Sequence, residues 1–283
     1  MNLREALARA TAQLDASPSL RADAHRDALL LLLHMLGITR AAFLANRDRA
    51  LTPGEQAEYD HLIQRRLANE PIQYITGEQE FFGLTLHVTS AVLIPRPETE
   101  HLVEAVLAEI TQASSVRILD VGTGSGAIAI AIAHHLPHAH ITAVDISPAA
   151  LDVASANAAR HHLTSRIRLV ESNLLEAFSP GEPHFDAIVS NPPYVASADR
   201  DTLHPQVRDH EPASALFAGP TGLDIYRRLI PQARAALKPN GLLALEIGHD
   251  QCDAIAELLS DWNELHFVED LQQIPRIAVA RRP

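Results

Sequence analysis

Cysteine is all but missing from this chain. Cys252 stands alone among 283 residues, so neither a disulfide framework nor a cysteine-based zinc knuckle can hold the fold. Basic residues are outnumbered too, 23 against 35 acidic ones, for a formal charge of -12. A surface built to release counterions from duplex DNA has the opposite balance, so direct nucleic-acid binding is not expected. Bilayer-length apolar runs are lacking: the alanine-leucine run 28–33 stops at His34, and no membrane contact is expected. The opening MNLREALARA carries Glu5 and alternates charge with alanine, unlike a secretory signal. What is present, 47% apolar and 20% charged residues, is enough to bury a substantial core and excludes collagen-like or wholly disordered chains. The expectation is a cytoplasmic, globular, monomeric protein with one large domain and a smaller one.

The smaller domain comes first. Residues 1–71 read as a helical bundle. Leu3, Ala6, Leu7, Ala10 and Leu14 recur at helical spacing, and 21–36 is apolar on most faces. Residues 48–51 read as a loop. Thr52-Pro53-Gly54-Glu55 then opens another helix, with a capping threonine, proline in the first turn and glutamate three residues on. That helix turns Tyr59, Leu62, Ile63 and Leu67 inward and ends near Asn69-Glu70-Pro71. Residues 72–92 change to short β-branched and aromatic runs punctuated by Gly77 and Gly83, which predicts a β-hairpin linker. From 93 to 283 strands and helices alternate. Strands are expected at 116–121, 140–144, 167–170, 187–190, 242–246, 265–268 and 276–280, and helices at 126–135, 147–161, 223–237 and 250–259. Such alternation, with nearly continuous apolar strands, implies a doubly wound, mostly parallel α/β sheet covered on both faces.

The segment ILDVGTGSG at 118–126 joins the first of these strands to its helix. Gly122, Gly124 and Gly126, with Thr123 and Ser125 between them, permit a tight turn that brings backbone close to a ligand at a helix N-terminus. Asp145 lies nineteen residues after Gly126, at the end of the next strand, where a carboxylate can accept both ribose hydroxyls of a nucleotide. The alternative is a helix-capping aspartate beside Ser147. Two ligands fit a glycine loop with a ribose acid: a nicotinamide dinucleotide and S-adenosylmethionine. The GxGxG spacing, and Asp120 within the preceding strand, favour the methyl donor.

The fourth strand decides between them, because it runs straight into Asn191-Pro192-Pro193-Tyr194. Hydride transfer needs no such element, whereas methylation of a planar nitrogen does. An amide or exocyclic amine delocalises its nitrogen lone pair. Two acceptors that bind both N–H groups fix that nitrogen and localise the pair toward a methyl carbon. The Asn191 side-chain carbonyl and the Pro192 backbone carbonyl can be those acceptors, since proline restricts the residue before it and stiffens the turn. Tyr194 can stack on the planar group and meet positive charge developing at the nitrogen.

NPPY at 191–194 together with DVGTGSG at 120–126 resembles class I methyltransferases that act on planar nitrogens. Three further stretches, EPIQYITG at 70–77, EFFGL at 80–84 and LIPRPETE at 93–100, narrow the resemblance to the HemK/PrmC family of protein-glutamine N5-methyltransferases, which modify peptide-chain release factors. The resemblance runs the length of the chain. It implies a Rossmann-like class I methyltransferase domain behind a helical substrate-recognition domain. It implies S-adenosyl-L-methionine as donor, S-adenosyl-L-homocysteine as product, and the glutamine of a release factor GGQ motif as target. By the same resemblance, Gly122, Thr123, Gly124, Ser125 and Gly126 bind the methionine end of the cofactor, and Asp145 its ribose. Asn191, Pro192, Pro193 and Tyr194 hold the glutamine, with Asn191 also touching the cofactor.

One departure is visible. Asn173-Leu174 stands where the family usually has aspartate followed by an aromatic near the adenine. Asparagine can still exchange hydrogen bonds with an adenine edge, and Leu174 can pack on it without stacking. Arg96 and Glu98 are candidates for substrate contact or for a structural ion pair. Two rivals share the chemistry. Glutamine methylation on a ribosomal protein is opposed by the LIPRPETE-like segment, and adenine-N6 methylation of DNA would want a base-flipping domain and a basic cleft. His134, His135, His138 and His140 fall at the sheet end opposite the ligand crevice and read as solvated loop residues, so no metal is expected.

Overall fold

The computed structural model describes residues 1–110, 115–178 and 184–283. They divide into two compact units, 1–77 with 202–210, and 78–201 with 211–283. In the first unit lie α1 (Leu3–Asp15), α2 (Ala24–Leu36), α3 (Arg40–Ala45), α4 (Pro53–Leu67) and α5 (Ile72–Thr76). The expected capping box between Thr52 and Glu55 opens α4, and a second one, between Asn2 and Glu5, opens α1. Leu3, Leu14, Leu31, Leu32, Tyr59 and Ile63 meet in one apolar cluster. Within it the Tyr59 hydroxyl donates to the Ala28 carbonyl at 2.8 Å. A charge pair is sunk in the same unit: Arg66 Nε donates to Asp27 Oδ2 at 2.8 Å, with neither side chain more than 4% exposed. Residues 72–76, expected to begin the hairpin linker, form α5 instead. Pro71 at its start and left-handed Gly77 at its end punctuate a single helical turn that the β-branched composition concealed.

The second unit begins with the antiparallel hairpin of β1 (Glu78–Phe81) and β2 (Leu84–His87). After α6 (Glu100–Glu109) come β3 (Arg117–Val121), α7 (Ala127–His135), β4 (His140–Asp145), α8 (Pro148–Arg160), β5 (Ile167–Glu171) and β6 (Phe185–Ser190). The short α9 (Pro205–His210) belongs to the first unit, where His210 Nε2 meets the Ala68 carbonyl at 3.0 Å. The chain returns with α10 (Asp224–Ala236), β7 (Leu237–Glu246), α11 (Cys252–Leu258), β8 (Asn263–Glu269) and β9 (Pro275–Arg281). The sheet runs β5-β4-β3-β6-β7-β9-β8. Its first five strands are parallel, and β9 is antiparallel to both β7 and β8. The class I methyltransferase α/β fold is therefore present.

Alternation explains why the strands read as unbroken apolar runs. Ile118, Ala187, Val189, Leu242 and Ala244 face one apolar cluster with α6 and α7. Leu119, Ile188, Leu243 and Leu245 face another with α10 and α11. Strand β7 starts five residues before the expected 242. Its register on β6 jumps from Phe185–Leu237 to Ala187–Leu242, so 238–241 is a bulge, with Asn240 at φ 60°, that reads in sequence as a turn. The strand order reverses about β3, which is where open α/β sheets leave a crevice at their carboxyl ends. Register places Val121 opposite Val144 on one side and Ser190 on the other. The glycine loop, Asp145 and Asn191 thus leave the sheet side by side.

Candidate active site

The loop after β3 is tied to β4. The Gly122 and Thr123 N–H groups both donate to the Val144 carbonyl at 2.9 Å, and Gly126 N–H donates to Thr123 at 2.8 Å. Gly126 is required twice over. Its φ is +82°, and a Cβ there would lie 3.1 Å from Ile130 Cδ1 and 3.3 Å from Ala154 Cβ, where α7 and α8 approach. Fully buried Asn157 braces the loop from α8, donating to the Ser125 carbonyl at 2.9 Å and to the His87 carbonyl at 2.8 Å. Asp120, buried within β3, accepts from the Thr123 hydroxyl at 2.6 Å, and burial pushes its carboxyl up to about 7.

Asp145 accepts two backbone N–H groups, Gly124 on Oδ2 and Ser147 on Oδ1, each at 2.9 Å. The cap of α8 is Ser147 itself, whose hydroxyl accepts from Ala150 N–H. Asp145 therefore braces the cap without being it. A carboxylate offers about four lone-pair directions, so two remain for a ligand.

Beyond β6, Asn191 Nδ2 donates to Thr99 Oγ1 at 3.0 Å. Thr99 Oγ1 donates in turn to Glu246 Oε2 at 2.6 Å, and the Tyr194 hydroxyl donates to Glu246 Oε1 at 3.3 Å. Burial pushes the Glu246 carboxyl up to about 7 against the lowering effect of those two hydroxyls. The Tyr194 backbone carbonyl accepts from Gln251 Nε2 at 3.0 Å. Gly222 (φ +72°) presses against the same carbonyl, to which a Cβ would come within 2.2 Å. Three separate chain segments, at 99, 222 and 246–251, thus converge on the NPPY turn.

These residues enclose one cavity, lined among others by Thr99, Gly122, Thr123, Gly124, Ser125, Asp145, Asn173, Leu174, Asn191, Pro192 and Pro193. Two expected site residues are not among its lining. Gly126 is the N-cap of α7, and Tyr194 packs beside the second apolar cluster with its hydroxyl on Glu246. Both amide atoms of Asn173 are engaged, Oδ1 by Arg228 at 2.9 Å and Nδ2 by Glu176 at 2.9 Å. Arg96 pairs at 2.5 Å with Glu211, whose side chain is fully buried. Among the described residues no group of His, Cys, Asp and Glu is placed to hold a metal, and no helix is long and apolar enough to cross a membrane.

Sequence reasoning missed Thr99, Glu246, Gln251 and Ile146. Ile146 had a signal, an apolar residue directly after the ribose acid, and it lines the cavity with 59% of its surface exposed. Glu246 had one as well, an acid closing an apolar strand.

Residues 5–77 match the PrmC N-terminal domain and 98–208 the methyltransferase small domain. The chain is 47% identical over 285 residues to a release factor glutamine methyltransferase of Koribacter versatilis, covering 100% of this chain and 99% of that protein. A protein of the same name from Deinococcus radiodurans is 42% identical with the same coverage. A methyltransferase from Pyrococcus furiosus shares the fold, with a TM-score of 0.52 at 19% identity over 77% of this chain and 96% of that one. With near-complete coverage at such identity, and with the loop, the acid and Asn191-Pro192-Pro193 brought to one cavity, the chain belongs to the release factor glutamine methyltransferase family.

Proposed function

We infer that this protein methylates the N5 amide nitrogen of a glutamine in peptide-chain release factors, the glutamine of the GGQ motif. The observation that carries this reading is the way Asn191 is held. Its amide nitrogen is turned to Thr99, which leaves its carbonyl oxygen to accept an N–H from an incoming amide. The Pro192 carbonyl supplies the second acceptor, and Pro193 stiffens the turn. Held from both N–H groups, the nitrogen keeps its lone pair directed along one line of attack. S-adenosyl-L-methionine, when bound, supplies an electrophilic methyl group, leaving S-adenosyl-L-homocysteine after in-line displacement.

The cavity suits that donor. Asp145 retains lone pairs for two ribose hydroxyls, Gly122 to Ser125 wall the methionine end, and Ile146 and Leu174 offer apolar surface to the adenine. Asn173, tied to Arg228 and Glu176, still keeps one lone pair and one N–H for an adenine edge. Tyr194 works through its hydroxyl and through packing that fixes the turn. Positioning and preorganised dipoles lower the barrier, and no covalent enzyme intermediate is needed. Once alkylated, the nitrogen is acidic and loses its proton to water. The protein acts as a monomer in the cytoplasm.

The test is incubation with labelled donor and, separately, purified release factor, ribosomal protein and DNA, followed by mass mapping. Label on the GGQ glutamine alone is the expected result. Label confined to ribosomal protein or to DNA adenine would overturn the reading.

A further inference from the structure

One buried polar chain is not explained by cofactor binding. Glu246 ends β7 with 2% of its surface exposed, and both of its carboxylate oxygens receive a hydroxyl. Thr99, 4% exposed, stands between it and Asn191. A hydroxyl has one hydrogen and two lone pairs. Thr99 commits its hydrogen to Glu246 at 2.6 Å, so only a lone pair is left for Asn191. The Asn191 atom turned toward it at 3.0 Å must then be the donor nitrogen, which assigns the amide's orientation on chemical grounds.

We propose that Glu246 is a positioning residue that, through Thr99, fixes which end of the Asn191 amide meets the target nitrogen, and that it does so only as a carboxylate. The proposal rests on the amide-clamp reading given above. With Glu246 protonated, its O–H donates to Thr99 Oγ1 and frees the Thr99 hydrogen for Asn191. The amide then turns its Oδ1 to Thr99 and presents Nδ2, which cannot accept from an N–H. The clamp is engaged when Glu246 is ionised and disengaged when it is not.

The surroundings place this switch near neutrality. Burial, with neighbouring Glu98 adding to it, raises the Glu246 carboxyl to about 7, while Thr99, Tyr194 and Arg276 of β9 hold it down. Tyr226 of α10 donates to the Glu246 backbone carbonyl at 2.7 Å. Burial raises both tyrosine hydroxyls, so neither titrates in the same range. Arg96 faces Tyr194 from the 93–100 segment.

The test reads the amide and the reaction separately, on the full-length chain. In the first arm the side-chain 15N amide resonances of Asn191, assigned by their loss in Asn191→Asp, are followed through about two pH units either side of neutrality. They are expected to titrate with a near-neutral midpoint in wild type. The midpoint disappears in Thr99→Val and in Glu246→Gln, and returns in Thr99→Ser, which keeps the hydroxyl. A wild-type amide that does not titrate, or one that titrates alike in Thr99→Val and Glu246→Gln, overturns the proposal whatever the substrate proves to be.

In the second arm single-turnover methylation of release factor is measured over the same range. The wild-type rate falls as pH drops through that midpoint, and Glu246→Gln loses this acid limb. Thr99→Val lowers the rate about tenfold, the worth of one hydrogen bond, with donor affinity within about threefold. An acid limb that survives in both variants also overturns the proposal. A titrating amide in an enzyme that leaves release factor unmethylated would sink the proposed function and leave the positioning role standing.

Discussion

Removing the Asp145 carboxylate is the perturbation whose size follows most directly from the geometry. Each of its oxygens already accepts one backbone N–H at 2.9 Å, from Gly124 and from Ser147, each keeps a second lone pair, and the residue lines the cavity. A hydrogen bond to a charged group contributes about 1.5–3 kcal/mol. At about 1.4 kcal/mol per decade, losing the ribose contacts in Asp145→Ala should raise the Kd for S-adenosylmethionine by roughly 10- to 150-fold. Asp145→Asn separates charge from shape, because it keeps one acceptor oxygen; its Kd should rise about tenfold. Calorimetric titration with donor and with S-adenosylhomocysteine measures both variants. Thermal unfolding measures the structural part, expected to be a loss of about 1 kcal/mol as two solvent-reachable N–H groups lose their acceptor. An Asp145→Ala protein that melts early yet binds donor within about twofold of wild type would show the residue to be a brace for the loop and for Ser147 alone.

Three other outcomes follow from named contacts. Gly222→Ala drives a Cβ toward the Tyr194 carbonyl and displaces the NPPY turn; turnover should fall roughly a hundredfold while donor affinity changes little, and equal losses in both would place the fault elsewhere. Asp27→Ala strands buried Arg66 and should cost about 3–5 kcal/mol in urea denaturation, whereas a paired Asp27→Leu, Arg66→Met replacement should cost far less. Tyr194→Phe removes a donor to Glu246, so the carboxyl rises further and the acid limb of the pH-rate profile moves to higher pH; a limb that stays in place would refute the Tyr194–Glu246 contact.

Local rules made much of this molecule legible in sequence. The box at Thr52 and Glu55 marked the start of α4 because capping is satisfied within one helical turn. The strands bearing Ile118, Ile188 and Leu243 were readable because a doubly covered sheet needs apolar side chains at every position. The glycine loop, Asp145 and the NPPY turn were found because each is bound to a strand end. What escaped was set by distant contacts. Thr99 and Glu246 stand 147 residues apart, and neither carries a local sign of the other. Tyr194 was expected to work by its ring face, and nothing local in the sequence announced that its hydroxyl also reaches Glu246, 52 residues on. The bulge in β7 hid behind Lys238-Pro239-Asn240-Gly241, a composition that signals a turn wherever it is not held by neighbouring strands.

In the proposed reaction Asn191 holds the target amide. Single-turnover methylation of purified release factor by Asn191→Ala, measured beside its affinity for S-adenosylmethionine, tests that claim most directly. The glycine loop and Asp145 are untouched by the substitution, so donor affinity should change by less than about tenfold. The methyl-transfer rate should fall roughly a hundredfold or more, as when one preorganised partner is removed from a transition state. A near-normal rate on the GGQ glutamine would contradict the account and leave the NPPY segment as nothing more than a stiff turn.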